Sequence, residues 1–218
     1  MRKNSRISGY SDFAAKNCRI SGVCWLLSGA LMIIVESMAF IGKAHYSNGM
    51  NEIANENDDD SLHKLAEQVG HTLKQAHLSL VTAESCTGGW IAKMITDIPG
   101  CSDWFEAGMA AYSYEAKQAL LGVRPETLMQ HGAVSRETVI EMVSGAMITS
   151  GASVSVAVTG IAGPSGGTED KPVGTVWIAW KRRGGYPIAE VFYFDGDRES
   201  VRRHTVAEAL KGVLKLVA

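Results

Sequence analysis

Proline is scarce in this sequence, and neither sign of charge is in clear excess. Of 218 residues only 5 are Pro, against 23 Gly, and 21 Lys and Arg face 23 Asp and Glu, which gives a formal net charge of −2. This balance excludes a strongly basic protein that binds nucleic acid through its phosphates, and the composition excludes a collagen-like fibre. What remains is a soluble globular chain of one or two domains, 46% hydrophobic and 20% charged.

Cysteine is also sparse and follows no metal or disulfide pattern. The four residues, Cys18, Cys24, Cys86 and Cys101, form no C-x-x-C pair and have no His-rich partner spacing. A structural zinc site and a disulfide framework are therefore not expected in a chain of this length. We predict reduced thiols in a reducing compartment, as in a cytoplasmic protein.

The first 60 residues differ from the rest in charge and hydropathy. Residues 1–50 hold six basic and two acidic side chains, and residues 23–40 are mostly apolar but include Glu36. A membrane-spanning helix needs about 20 apolar residues, and an acidic side chain inside one costs about 2.5–3.5 kcal/mol. Three interpretations stand: a membrane anchor, an uncleaved signal segment, or an extension over residues 1–49 ahead of a natural start at Met50. We favour an extension that is dispensable for the chemistry, so that any membrane contact would be made by residues 23–40.

Residues 51–60 mark the domain boundary. They carry five acidic side chains and no basic one, which is typical of a solvated linker. We therefore expect an N-terminal extension over residues 1–60 and one main domain over residues 61–218.

Helical and strand patterns alternate through most of the main domain and end in a strand hairpin. Ser61 is a candidate N-cap for the first helix, and Ser135 for a later one. The patterns predict helices near 61–73, 90–97, 115–121, 135–147 and 198–216, and strands near 78–82, 109–112, 153–158, 174–180 and 188–194. This order predicts an α/β fold, a three-layer α/β/α sandwich with a mixed β-sheet.

The first candidate site is the segment 84–89, between a buried strand and a helix start. Ligands in open α/β sheets bind beyond the carboxyl ends of the strands, so Ser85 would project into a crevice. The amides of Thr87, Gly88 and Gly89 would favour an anion or a developing oxyanion. The alternative is a capping turn that merely starts the helix. Cys86, one position along, would face the core.

The second candidate is the segment 112–117, which begins at another strand end. A serine hydroxyl needs a base, and a lysine desolvated in a pocket loses its proton near neutral pH. Lys117 is a candidate for this base, and Tyr112 could orient it or relay the proton. The alternative is an exposed lysine in the first turn of a helix.

The third candidate is the glycine-rich segment 159–167. It follows an apolar strand, and its amides suit a phosphate or a ribose. It lacks the Gly-Lys-Ser/Thr ending of nucleotide-triphosphatase loops, so ATP hydrolysis is not supported. A surface loop without a ligand is the alternative.

Taken in order, these motifs resemble one family. The resemblance is to the C-terminal domain of the competence/damage-inducible CinA family, and it covers residues 61–217. It rests on six segments: 83–89, Tyr112 with Lys117, 131–135, 160–164, 171–176 and 196–198. It implies a three-layer α/β/α amidohydrolase that converts nicotinamide mononucleotide to nicotinate mononucleotide and ammonia, with no metal or other cofactor and as a homodimer.

The resemblance also implies roles for individual residues. Ser85 would be the nucleophile and Lys117 the base, assisted by Tyr112. The residues expected to bind substrate are Thr87, Gly88, Gly89, Ser135, Thr159, Gly160, Ile161, Ala162 and Gly163. The substrate's phosphate needs donors, and Arg198 and Arg202 at a helix start are candidates, with solvated helix-face residues as the alternative.

One residue departs from the family pattern, and two alternative functions remain open. Tyr114 stands where the family usually has asparagine, which would alter rate or selectivity. The first alternative function is a non-catalytic nucleotide-binding or partner module linked to competence or the DNA damage response. The acidic balance of the main domain argues against direct DNA contact. The second is a membrane-tethered amidase that uses residues 23–40.

Overall fold

The computed structural model describes residues 58–218, and the predictions made for residues 1–57 lie outside this part of the chain. Within residues 58–218, six α-helices and five strands follow one another. The helices are α1 (Asp59–Gln75), α2 (Trp90–Thr96), α3 (Tyr114–Leu121), α4 (Pro125–His131), α5 (Arg136–Ser150) and α6 (Arg198–Val217). The strands are β1 (Leu80–Glu84), β2 (Phe105–Ala110), β3 (Val154–Gly160), β4 (Thr175–Arg182) and β5 (Ile188–Tyr193). Between residues 58 and 218, no helix combines the length and apolar character needed to span a membrane.

The strands form one mixed sheet in the order β2-β1-β3-β4-β5. β1 pairs in parallel with β2 and β3, whereas β4 pairs antiparallel with β3 and β5. Glu84, the last residue of β1, lies opposite Ala110 of β2 and Val158 of β3. Three strands therefore end at the same edge of the sheet, and the chain segments that follow them meet there.

Helices cover both faces of the sheet, because the side chains of each strand alternate between the two faces. Val156 of β3 belongs to the core beneath α1, α2 and α6, whereas its neighbour Ala157 belongs to the core beneath α3, α4 and α5. Both cores are apolar, and all five residues of β1 are buried. The predicted three-layer α/β/α sandwich with a mixed sheet is confirmed.

The α3–α5 contact is close enough to require glycine. A Cβ atom built at Gly145 would lie 1.7 Å from the backbone oxygen of Leu121, the last residue of α3. No side chain fits at that distance. The absence of a side chain at residue 145 therefore sets how closely α5 approaches α3, the helix that carries Lys117.

Several boundaries differ from the sequence prediction. α1 starts at Asp59, and its N-cap is Asp58, whose side chain accepts a hydrogen bond from the Ser61 amide at 2.8 Å. Ser61 is therefore not the cap, and the end of the acidic stretch is helical, because carboxylates are favoured at a helix N-terminus. β2 ends at Ala110, before Tyr112. The short helix α4 was not predicted from the apolar pattern.

Candidate active site

The carboxyl ends of β1, β2 and β3 surround a cavity of about 240 Å³. Ser85 follows β1, Tyr112 follows β2, and Thr159 and Gly160 end β3. All four line the cavity, together with Lys117 from α3. The sheet topology thus brings together residues that lie far apart in the sequence.

Ser85 and Lys117 are in direct contact. The Lys117 Nζ atom lies 2.9 Å from the Ser85 Oγ atom. It also donates to the backbone oxygens of Ala111, at 2.9 Å, and Tyr112, at 3.1 Å. Lys117 is only 1% exposed, so it is not the exposed helix-face lysine that the sequence left open.

The environment of Lys117 favours the uncharged amine. Burial lowers the pKa of Lys117 below its usual 10.5, because the charged form is poorly solvated there. A neutral amine has two N–H donors and one lone pair. When the amine is neutral, its two donors would be taken by the carbonyls of Ala111 and Tyr112, and its lone pair would face the hydroxyl of Ser85. The contact therefore has the geometry of a base and the proton that it removes.

Helix α3 sets the position of Lys117. Its N-cap, Ser113, accepts a hydrogen bond from the Ala116 amide at 3.1 Å. Lys117 lies one turn further on, and its side chain reaches back over the end of β2. Gly122 ends the helix in a left-handed conformation, with φ 63°. The short helix therefore presents a lysine amine to a serine that lies 32 positions earlier in the sequence.

Glu84 organises the turn that carries Ser85, a role that the sequence analysis missed. The side chain is 1% exposed, and α2 begins after Gly89, which provides no side-chain cap. The Glu84 carboxylate takes the place of that cap. It accepts five hydrogen bonds of 2.7–3.2 Å, from the hydroxyls of Thr82 and Thr87 and from the amides of Gly89, Ile91 and Ala92.

Gly88 and Gly89 do not line the cavity beside Ser85. The Gly88 amide donates to the Ser85 backbone oxygen at 3.2 Å, and the Gly89 amide donates to Glu84 at 3.1 Å. Both residues line a wider neighbouring cavity of about 800 Å³ instead. The geometry therefore does not support the prediction that these two amides face the substrate, because both already have intramolecular acceptors. Thr87 is fully buried and is also absent from the cavity wall.

The predicted glycine-rich segment does line the cavity. Thr159, Gly160, Ile161, Ala162 and Gly163 all contribute to its wall, as do Ser165 and Gly166. Ala133 and Val134 also line the cavity, and the sequence analysis included them only as part of the family segment 131–135. Ser135 does not line the cavity; it caps α5 and donates to the Gly132 carbonyl at 3.0 Å.

Two side chains hold these walls together. The Thr159 hydroxyl donates to the Ala133 carbonyl at 2.8 Å. Lys171 donates to the carbonyls of His131, at 3.1 Å, and Val134, at 2.8 Å. Lys171 was noted only as part of a family motif, because its contacts span about forty residues and leave no local pattern.

The two candidate arginines have different positions. Arg198 lines the cavity beside Ser85 and donates to the Gly163 carbonyl at 2.8 Å. Arg202 lies one turn further along α6, outside that cavity, and donates to the carbonyls of Cys86, at 3.2 Å, and Thr87, at 2.7 Å. Only Arg198 is placed to meet a ligand beside Ser85.

Comparison with known proteins identifies the family. Residues 62–217, most of the chain, match the model of the CinA C-terminal domain. The chain belongs to the CinA C-terminal domain family. The resemblance inferred from the six motifs is thereby confirmed.

Three relatives in this family match the chain over more than nine-tenths of their own length. The nicotinamide-nucleotide amidohydrolase PncC of Escherichia coli K12 is 54% identical over 153 residues, which are 70% of this chain and 93% of that protein. PncC of Pseudomonas putida is 53% identical over 158 residues, 72% of this chain and 98% of that protein. The structure of the competence/damage inducible protein CihA from Agrobacterium tumefaciens superposes with a TM-score of 0.71 at 42% identity, covering 74% of this chain and 97% of that one.

Cys86 is a poor competitor for the nucleophile's role in this CinA-family domain. It is 6% exposed and packs in the core beneath α1, α2 and α6, as predicted, although it also touches the cavity wall. Burial raises the pKa of its thiol to about 12, and the nearby Glu84 carboxylate acts in the same direction. The reactive thiolate is therefore scarce near neutral pH.

Tyr112 lines the cavity beside Ser85, whereas Tyr114 is not part of its wall. Tyr112 is 68% exposed and Tyr114 is 45% exposed. Tyr112 contacts Lys117 through its backbone carbonyl, at 3.1 Å. Its exposed ring therefore lies at the rim of the cavity. Across residues 58–218, no group of three or more His, Cys, Asp and Glu side chains is arranged to hold a metal ion.

Proposed function

We propose that this chain hydrolyses the carboxamide of nicotinamide mononucleotide to nicotinate mononucleotide and ammonia, with Ser85 as nucleophile and Lys117 as base. The observation that carries the proposal is the 2.9 Å contact between the Ser85 hydroxyl and the buried Lys117 amine. Relatives that are 53–54% identical over more than nine-tenths of their length are named nicotinamide-nucleotide amidohydrolases, which supports the substrate.

Acylation begins with the neutral Lys117 amine. Its lone pair takes the Ser85 proton while the serine oxygen attacks the carboxamide carbon, and a C–O bond forms as the carbonyl becomes an oxyanion. The Lys117 ammonium then gives its proton to the amide nitrogen. The C–N bond breaks, ammonia leaves, and an ester joins the nicotinoyl group to Ser85.

Deacylation repeats the same proton transfers with water. Neutral Lys117 removes a proton from a water molecule that attacks the ester carbon. The C–O bond to Ser85 breaks, and the serine oxygen takes the proton back from Lys117. Because the Lys117 amine alternates between base and acid while its two carbonyl acceptors stay in place, it need not move during the cycle.

Substrate recognition uses the remaining walls of the cavity. The Arg198 guanidinium has five N–H donors, and one of its nitrogens, Nη1, donates to the Gly163 carbonyl. The other donors would bind the phosphate of the nucleotide. The ring of Tyr112, at the mouth of the cavity, would lie against the cationic pyridinium, which an aromatic face attracts.

The experiment is an ammonia-release assay with nicotinamide mononucleotide and no added metal. We expect turnover by the wild-type chain and its loss in Ser85→Ala and Lys117→Met. Lys181→Met is the matched control, because Lys181 contacts Ser144 and does not line the cavity; its turnover should match wild type. Normal turnover by Ser85→Ala would refute the nucleophile, and binding without turnover by the wild type would favour a non-catalytic nucleotide-binding module.

A further inference from the structure

Two charged side chains, Glu84 and Arg202, hold the turn that carries Ser85. Neither lines the cavity beside Ser85. Glu84 binds the amide end of the turn and the start of α2, whereas Arg202 binds its carbonyls from α6. Ser85 and Cys86 lie between these contacts. The arrangement therefore connects the Ser85 turn to α2 through Glu84 and to α6 through Arg202.

The hydrogen bonds of Glu84 compensate for the hydration that its buried carboxylate loses. A buried carboxylate is tolerated only where hydrogen bonds replace its hydration. Glu84 has five donors within 3.2 Å, three of them backbone amides at the start of α2. Because Glu84 directly precedes Ser85, these contacts constrain the backbone immediately before the nucleophile. A neutral side chain at residue 84 would remove acceptors from amides that have no other cap.

Arg202 constrains the residues after the nucleophile. Its Nε and Nη2 atoms donate to two consecutive carbonyls, those of Cys86 and Thr87. The planar fork of a guanidinium suits two acceptors held at a fixed spacing, which an ammonium cannot reproduce. The guanidinium also lies 5.0 Å from the ring centre of Trp90, the first residue of α2. Two of its nitrogens therefore hold the turn through hydrogen bonds.

We propose that Glu84 and Arg202 are positioning residues, which hold the Ser85 oxygen in line with the Lys117 amine. This inference rests on the proposed function for its kinetic readout. The Ser85–Lys117 contact joins two separate elements, the turn after β1 and helix α3, so it survives only if the turn keeps its place. A displacement of about 1 Å at a reacting atom costs up to roughly 100-fold in rate.

The test compares Glu84→Gln, Arg202→Met and Arg202→Lys with the control Glu141→Gln. Glu141 is also a carboxylate with several donors, from Arg124 and Thr127, but it does not line the cavity. We expect Glu84→Gln and Arg202→Met to lower kcat roughly 10- to 100-fold with KM within about twofold of wild type, because the substrate's own contacts are kept. Arg202→Lys should recover part of this loss, and Glu141→Gln should keep the wild-type kcat.

A second readout does not depend on the amide substrate. A fluorophosphonate ester labels an activated serine, and mass spectrometry measures the rate at Ser85. Glu84→Gln and Arg202→Met should label more slowly than Glu141→Gln. If the wild-type chain labels at Ser85 but releases no ammonia from nicotinamide mononucleotide, the proposed substrate fails while this assay still tests the positioning role.

Three outcomes would overturn the inference. A raised KM with unchanged kcat in Arg202→Met would make Arg202 a substrate ligand. Equal kcat in Glu84→Gln and Glu141→Gln would reduce Glu84 to a structural carboxylate. If Glu84→Gln does not fold, the Arg202 variants decide, and unchanged labelling in Arg202→Met would refute the proposal.

Discussion

Replacing Lys117 with methionine should change how the stability of the domain depends on pH. Lys117 is 1% exposed, and burial lowers the pKa of its amine below 10.5. Between the folded-state pKa and 10.5, the unfolded chain binds a proton at this residue and the folded chain does not. The free energy of unfolding of the wild type therefore rises with pH across this window, by up to about 1.4 kcal/mol per pH unit from this one group. Methionine has similar length and no charge, so Lys117→Met lacks this contribution.

The measurement is urea unfolding of the wild type and Lys117→Met at several pH values from about 7 to about 10, taking the difference between the two curves. Contributions from the other titrating groups cancel in this difference. The pH at which the curves become parallel on the acid side reports the folded-state pKa of Lys117. Lys64→Met, at an exposed position of α1, controls for the change in residue type. Parallel curves for wild type and Lys117→Met throughout the window would refute the buried neutral amine, and the base mechanism with it.

Four further results follow from the same structure. The acid limb of kcat/KM against pH should titrate below 10.5, because burial lowers the pKa of Lys117 and activity is lost as the amine gains a proton; a limb at or above 10.5 would contradict this. Arg198→Met should raise KM for nicotinamide mononucleotide by roughly 10- to 100-fold, the value of a hydrogen bond to a charged group, and should leave KM for the phosphate-free riboside unchanged. Iodoacetamide at about pH 8 should not inactivate the enzyme through Cys86, because burial raises the pKa of its thiol to about 12. Cys86→Ala should stay active. Rapid inactivation of the wild type that is absent in Cys86→Ala would contradict the unreactive thiol. Gly145→Ala should lower the free energy of unfolding by about 1–3 kcal/mol, since its Cβ would lie 1.7 Å from the Leu121 oxygen; an unchanged urea midpoint would contradict the tight helix contact.

The sheet and its helices could be predicted because their signals are local. β1 and β3 are apolar runs that end at small or polar residues, and Ser135 is the N-cap of α5 as its residue type indicates. Ser85 and Lys117 could be selected for the same reason, since each follows a strand end. Their contact depends on parallel pairing of β1 and β2, which brings the two strand ends together.

The contacts that position the nucleophile could not be predicted in this way. Arg202 and Cys86 are 116 residues apart, and no periodicity relates them. Glu84 could be read as the last residue of a strand, but its capping of α2 depends on the turn that the glycines allow. Gly88 and Gly89 show the converse error, because a glycine pair before a helix suggests free amides even where, as here, the amides donate to the Ser85 backbone oxygen and the Glu84 carboxylate.

The amine of Lys117, the proposed base, is anchored mainly to main-chain atoms. Two of the three polar contacts of Lys117 are to the carbonyls of residues 111 and 112, which every amino acid possesses. The side chain of Tyr112, at the rim of the cavity, can therefore be exchanged during evolution without loosening the amine. Chains with other residues at this rim could then accept different amides while the amine stays in place.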